Sequence, residues 1–260
     1  MRLLKPLMST LLAFASASVF AANGETAVVF VNGMNNTFDD AIASMQVLKQ
    51  RVSARGAGKG YVYGNAYNAT NGFFSDLYQV FKQKGQEGEK VSGFWQMVDG
   101  GNVTPGWMST ALRDKYVATL SKEVTPELPE HLKFYRQHLS ANRKLVLVPH
   151  SQGNLYANIS QNILIGESAA QAPNVFAVGV ASPAARTMPN STYVTSSADA
   201  VIGALRIIKS VLPSNISQGF HPFKDFLGHS FTKIYMDSSM PAELAIVREI
   251  DRRSAAPVLR

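Results

Sequence analysis

The chain contains no cysteine. Disulfides, thiolate nucleophiles and cysteine-ligated metals are therefore excluded, and the fold must be held by its apolar core. Histidine is scarce, with 5 in 260 residues. His131 and His138 fall on one helical face but have no acidic partner at ligand spacing, so no metal is expected. Charged residues make up only 17 %, and no run of lysines or arginines accompanies the formal net charge of +7. A nucleic-acid partner is not expected on that pattern. Solubility, or attraction of a peripheral surface to an anionic membrane, explains the charge as well. Long apolar runs are missing beyond residue 20, and there is no internal repeat. Gly56-Ala57-Gly58-Lys59-Gly60 lacks the spacing and hydroxyl of a phosphate loop, so no nucleotide cofactor is expected either.

What is present is a globular composition, 46 % hydrophobic and able to bury a sizeable core. Arg2 and Lys5 precede an apolar stretch over residues 7–20, and Val19-Phe20-Ala21 fits a small-residue cleavage site. Residues 1–21 are expected to be a signal peptide and residues 22–260 the mature domain, periplasmic or secreted.

The chain is organised around Leu145-Val146-Leu147-Val148-Pro149-His150-Ser151-Gln152-Gly153-Asn154. Four apolar residues predict a short buried strand. After Gly153 the apolar residues Leu155, Ile159, Ile163 and Leu164 recur at helical spacing. A strand that enters a helix through His150-Ser151-Gln152-Gly153 is the setting of a nucleophile elbow, where a tight turn presents a serine. An ordinary strand, turn and helix capped by that serine fits the same residues.

Acyl chemistry also needs backbone N–H donors aimed at a developing oxyanion. One normally follows the nucleophile, here Gln152. The other comes from a loop after an early strand. Residues 26–31 (Thr-Ala-Val-Val-Phe-Val) read as that strand, and the turn at Asn32-Gly33-Met34 offers the N–H of Met34. Thr37 or Asp39 then caps a helix whose inner face is expected to carry Ala41, Ile42, Met45 and Leu48. Residues 61–67 alternate and are aromatic, a second strand.

Residues 71–124 interrupt the alternation of strand and helix. Phe73, Phe74, Tyr78 and Phe81 share a helical face, and both tryptophans, Trp95 and Trp107, follow among glycines. This stretch reads as a helical cap insertion. Asn35, Phe73, Trp95 and Trp107 are candidates for a substrate pocket. The same aromatics also fit the cap's own packing. A helix over residues 125–139 leads into the elbow strand. Beyond the elbow come strands at 174–180 and 192–195, a helix at 200–211, a loop at 220–228, and a last helix at 241–252. Strands alternating with helices predict an α/β domain with a mainly parallel central sheet flanked by helices. Ligands bind beyond the carboxyl ends of such strands, where Asn32–Met34, Ser151 and Asp199 all fall.

A serine hydroxyl needs a base, and the base needs a carboxylate. In this kind of fold the order is serine, acid, histidine. Two histidines follow Ser151, His221 and His229, and both Asp199 and Asp225 lie in the interval. Asp199 also suits the N-cap of the helix at 200–211.

With these residues the chain resembles the α/β-hydrolase superfamily, and within it the bacterial lipases and esterases. Those carry H-G-[ML] after an early strand and G-H-S-[QH]-G at the elbow. Asn32-Gly33-Met34 and Pro149-His150-Ser151-Gln152-Gly153 are the matching residues here. The resemblance implies nucleophile Ser151, acid Asp199, base His229 and oxyanion donors Met34 and Gln152. Asn32 and Pro149 depart from the pattern. The disulfide and the calcium site of those lipases are not carried over, because no cysteine and no matching acidic pair exist. The implied activity is an esterase or lipase that hydrolyses a small-molecule or lipid ester through an acyl-enzyme and needs no cofactor. The same triad would serve a thioesterase, an amidase or a polyester depolymerase. A hydrolase fold that only binds a partner is the alternative from another class.

Overall fold

The structure, a computed structural model, describes residues 26–33, 36–56, 60–68, 127–208 and 210–255. The expected signal peptide, the cap at 71–124 and the residues Met34, Asn35, Phe73, Trp95 and Trp107 lie outside them. So do residues 57–59 of the glycine-rich turn.

Five strands form one all-parallel sheet: β1 (Thr26–Val31), β2 (Tyr61–Ala66), β3 (Lys144–Pro149), β4 (Val175–Val180) and β5 (Thr192–Val194), in the order β2-β1-β3-β4-β5. The described helices are α1 (Phe38–Ala54), α2 (Glu127–Ser140), α3 (Gly153–Glu167), α4 (Ala200–Ile208) and α5 (Pro241–Ala255). The fold class is α/β. Every residue of β1, β3 and β4 is buried. That is why these strands read as continuous apolar runs rather than alternating ones.

Successive side chains of a strand point to opposite faces of the sheet. Ala27, Val29, Val31, Leu145 and Leu147 pack with Leu128, Leu132, Tyr135, Leu155 and Leu164 of α2 and α3. Val28, Phe30, Val146 and Val148 pack on the other face with Leu48, Val52, Ile246 and Ile250 of α1 and α5. Thr37 caps α1 in a capping box with Asp40. The buried residues of α1 are Ala41, Ser44, Leu48 and Val52, and of the expected inner face Ala41 and Leu48 are buried, Met45 packs partly buried against the same core, and Ile42 is partly exposed. Pro149 belongs to β3 and pairs with Val31. On the other side the β3–β4 register stops at Leu147 and resumes only as an isolated bridge from His150 to Val180. A proline with no N–H leaves that gap in a ladder. Helix α4 is described to Ile208, and residues 210 and 211 of its predicted span are not helical.

Chain order reverses across the sheet at β1: β2 lies on one side of it and β3 on the other. In an open parallel sheet the crevice at such a switch point, beyond the carboxyl ends of the strands, is where ligands sit. Here it falls between the segment after β1, which contains Gly33, and the segment after β3, which contains Ser151.

Candidate active site

The turn that joins β3 to α3 is held by the two neighbouring strands. The His150 N–H donates to the Val31 carbonyl at 2.9 Å and the Ser151 N–H to the Val180 carbonyl at 3.0 Å. The chain must then reverse at once into α3, and Ser151 takes up a left-handed conformation with φ of 52°. A side chain in that region costs on the order of 1–3 kcal/mol, and such strain persists where surroundings over-determine it. The Asn154 amide secures the turn by donating to the carbonyls of Ser151 (2.8 Å) and Val180 (3.0 Å).

Two glycines make the close approach possible. A Cβ on Gly153 would collide with the Val31 carbonyl and stand 2.8 Å from that of Asn32. A Cβ on Gly33 would stand 2.8 Å from Ser151 Cβ and 3.0 Å from the His150 carbonyl. The segment after β1 therefore lies directly against the serine. Gln152 follows the serine in helical conformation (φ −56°, ψ −25°) at the N-cap of α3. Its N–H is one of the donors that a helix start leaves without an intrahelical partner.

His229 approaches Ser151 from 78 residues further along the chain. Its Nε2 lies 2.9 Å from Ser151 Oγ. Its Nδ1 lies 2.8 and 3.0 Å from the two carboxylate oxygens of Asp199. A carboxylate accepts at Nδ1, which puts the ring proton there and turns the Nε2 lone pair to the serine hydroxyl. The Asp199 side chain has no exposed surface, and that of His229 is 17 % exposed. Asp199 also accepts the Ile202 N–H at 2.9 Å, so it starts α4 while it faces the imidazole. Its helix-capping role and its role beside His229 are held by the same side chain.

The structure thus brings together Ser151, His229 and Asp199, with Gln152 beside them. It does not bring His221 or Asp225 to the serine in those roles. The Asp225 carboxylate accepts the backbone N–H groups of His229 (2.6 Å) and Ser230 (2.8 Å). Burial alone would raise its pKa, but these N–H groups and that of Leu227 outweigh it and hold the carboxyl below the usual value. Asp225 therefore shapes the loop that carries the imidazole.

Sequence reasoning missed four supports. Tyr235 donates to Asp199 Oδ2 at 2.7 Å and accepts the Ser196 N–H at 3.0 Å. Burial, with Asp199 alongside, pushes its phenol pKa up. His150 is buried, and its Nε2 donates to the His229 carbonyl at 2.9 Å. Burial, together with the charge His229 can carry, pushes the His150 pKa down to about 3. Asn32 and Asn68 exchange bonds between the ends of β1 and β2: Asn32 Nδ2 donates to the Asn68 carbonyl (2.9 Å), and the Asn68 N–H to Asn32 Oδ1 (2.7 Å). These bonds are what the side chain at position 32 does here. Asn154 is the fourth. Tyr235 lay in an apolar turn that reads as packing, and the asparagines carry no periodic signal. His150, Asn154 and Asn32 stood in the stretches the sequence singled out, and a closer reading could have found them there.

Among the described residues no group of His, Asp and Glu is arranged to hold a metal ion. No protein-family model matches the chain, and no curated protein or solved structure matches it. The geometry alone carries what the site can do.

Proposed function

We propose that the chain is an exported serine hydrolase of carboxylic esters, built on an α/β-hydrolase fold with a cap over residues 71–124. The single observation that carries this reading is the continuous line from Ser151 Oγ through the His229 ring to the Asp199 carboxylate, with contacts of 2.9 and 2.8 Å. The strained serine on a strand-to-helix turn and the chain order serine, aspartate, histidine agree with it.

In the proposed reaction Ser151 Oγ attacks the ester carbonyl as His229 Nε2 takes its proton. The oxyanion is received by the N–H groups of Gln152 and Met34, the second being the residue after the glycine that touches the serine. His229 returns the proton to the leaving alcohol, and the acyl group stays on Ser151. Water, deprotonated by the same imidazole, then attacks the acyl-enzyme and releases the acid. Asp199 holds the tautomer and stabilises the imidazolium. Proton transfer of this kind contributes roughly 10²–10⁴ in rate and one oxyanion donor about 10²–10³. The substrate is proposed to be a small-molecule or lipid ester, bound against Asn35, Phe73, Trp95 and Trp107, with no cofactor.

A panel of p-nitrophenyl esters, matched thioesters and anilides tests the reading. Esters are expected to turn over fastest, and His229→Ala should lower kcat by about 10⁴–10⁶. Wild-type protein inert on every ester, or turnover indifferent to His229→Ala, would rule it out.

A further inference from the structure

A cavity of about 410 Å³ opens between the carboxyl end of β2 and the first turns of α2, with Tyr67, Glu127, Glu130, His131 and Phe134 in its lining. It lies on the β2 side of the switch point at β1, where an open parallel sheet receives ligands. Asn32 and Asn68 tie this end of β2 to the segment that touches Ser151. Two strand spacings, roughly 10 Å, separate β2 from the strand that leads to the serine. Phe134 is a fixed wall: it lies across Gly64 of β2, where a Cβ would stand 2.6 Å from its ring.

His131 is 4 % exposed, and its Nε2 donates to the Tyr67 carbonyl at 2.8 Å. That fixes the tautomer and leaves Nδ1 an acceptor, and this atom is buried with no partner. Burial outweighs the Tyr67 carbonyl and lowers the His131 pKa, so the ring stays neutral and keeps that lone pair. A buried polar atom without a partner calls for a group that the fold itself does not supply. Glu127, one turn before His131 on the same face of α2, is half-buried and has no ion-pair partner among the described residues. Glu130 stands at the rim, 74 % exposed and 3.7 Å from Lys133. Among the described residues no lysine or arginine lines the cavity. Two carboxylates and a neutral acceptor beside an aromatic wall suit an occupant that donates N–H groups, carries positive charge and has an apolar body.

We propose that this cavity binds a primary ammonium group carried on a hydrocarbon body. Taken with the hydrolase reading, it receives the far end of an amine-bearing ester; the binding itself does not rest on that reading.

Isothermal titration calorimetry of the full chain with 2-phenylethylamine tests it, with 2-phenylethanol and 3-phenylpropionate as the neutral and anionic counterparts. The amine should bind about tenfold more tightly than either, or better. Glu127→Gln should weaken the amine about tenfold, the loss of one charge-assisted hydrogen bond, and leave the alcohol unchanged. Its melting temperature should stay at the wild-type value, since that carboxylate pairs with no described residue. The amine should also move the nitrogen resonance of His131 Nδ1, which locates it in this cavity. Ser151→Ala should bind the amine as wild type does, so a failure of the serine mechanism and a failure here are told apart. No saturable heat with the amine, as from a cavity that holds water alone, would overturn the proposal. So would equal affinity for amine and alcohol, a His131 resonance that stays in place, or amine binding that Glu127→Gln leaves unchanged.

Discussion

Tyr235 donates its phenolic hydrogen to Asp199 Oδ2, the oxygen that also lies closest to His229 Nδ1. One buried carboxylate thus answers to an imidazole, a phenol and the Ile202 N–H. Removing the phenol leaves Asp199 a donor short and the buried Ser196 N–H without its acceptor. Tyr235→Phe should cost about 1–3 kcal/mol of stability. It should also lower kcat more than it raises KM, because the phenol holds the carboxylate rather than the substrate. A melting curve and a kcat and KM pair on one ester check both halves.

The pH dependence of stability should show the buried His150. In the unfolded chain its pKa is near 6.5, and in the fold it is pushed down to about 3. Between those values the unfolded state binds the proton more readily, so stability rises with pH. The contribution is fully present above about pH 6.5 and is lost as pH falls toward 3, at up to about 1.4 kcal/mol per pH unit. Chemical denaturation at stepped pH should give a steep acid slope that His150→Phe flattens. The same variant removes the donor to the His229 carbonyl, so its activity should fall even at neutral pH.

The two glycines near the serine should separate activity from stability. Gly33→Ala puts a methyl 3.4 Å from Ser151 Oγ and closer still to Ser151 Cβ. The segment after β1 must give way where it touches the nucleophile, and kcat/KM should drop by ten-fold or more, about 1.4 kcal/mol, with a modest change in melting temperature. Gly153→Ala meets backbone carbonyls of β1 and the residue after it. Backbone cannot rotate aside, so overpacking there should cost about 1–3 kcal/mol or more. Melting temperature and kcat/KM, measured together on both variants, check the contrast.

The three strands β1, β3 and β4 were legible because they are buried on both faces, which writes them as unbroken apolar runs such as 26–31 and 145–148. The elbow was legible because its steric needs fall within a few consecutive residues, from Pro149 to Gly153. The choice between His221 and His229, and between Asp199 and Asp225, was open on spacing alone. In the structure the loop at 220–228 brings His229 rather than His221 beside Ser151, and its path depends on Asp225 accepting N–H groups from His229 and Ser230. Polar supports such as Asn32 with Asn68, and Tyr235 with Asp199, join residues far apart in sequence and leave no local pattern. The buried face of α1 was legible at Ala41, Leu48 and Met45, but buried Ser44 carries no apolar signal in the sequence.

Asn32 gives a test of one such hidden support. Asn32→Ala strands the buried Asn68 N–H and carbonyl, which otherwise meet Asn32 Oδ1 and Nδ2. A cost of about 1–3 kcal/mol is expected, with Asn32→Asp recovering part of it by keeping the acceptor. Equilibrium urea unfolding of the two variants measures the difference.

The central claim is that Ser151 is a nucleophile activated by His229. Covalent labelling by a fluorophosphonate, followed by mass spectrometry of the modified peptide, tests it most directly. The account predicts a single adduct on Ser151, absent in Ser151→Ala at unchanged melting temperature and strongly slowed in His229→Ala. No adduct on folded wild-type protein, or an adduct that persists in Ser151→Ala, would contradict it.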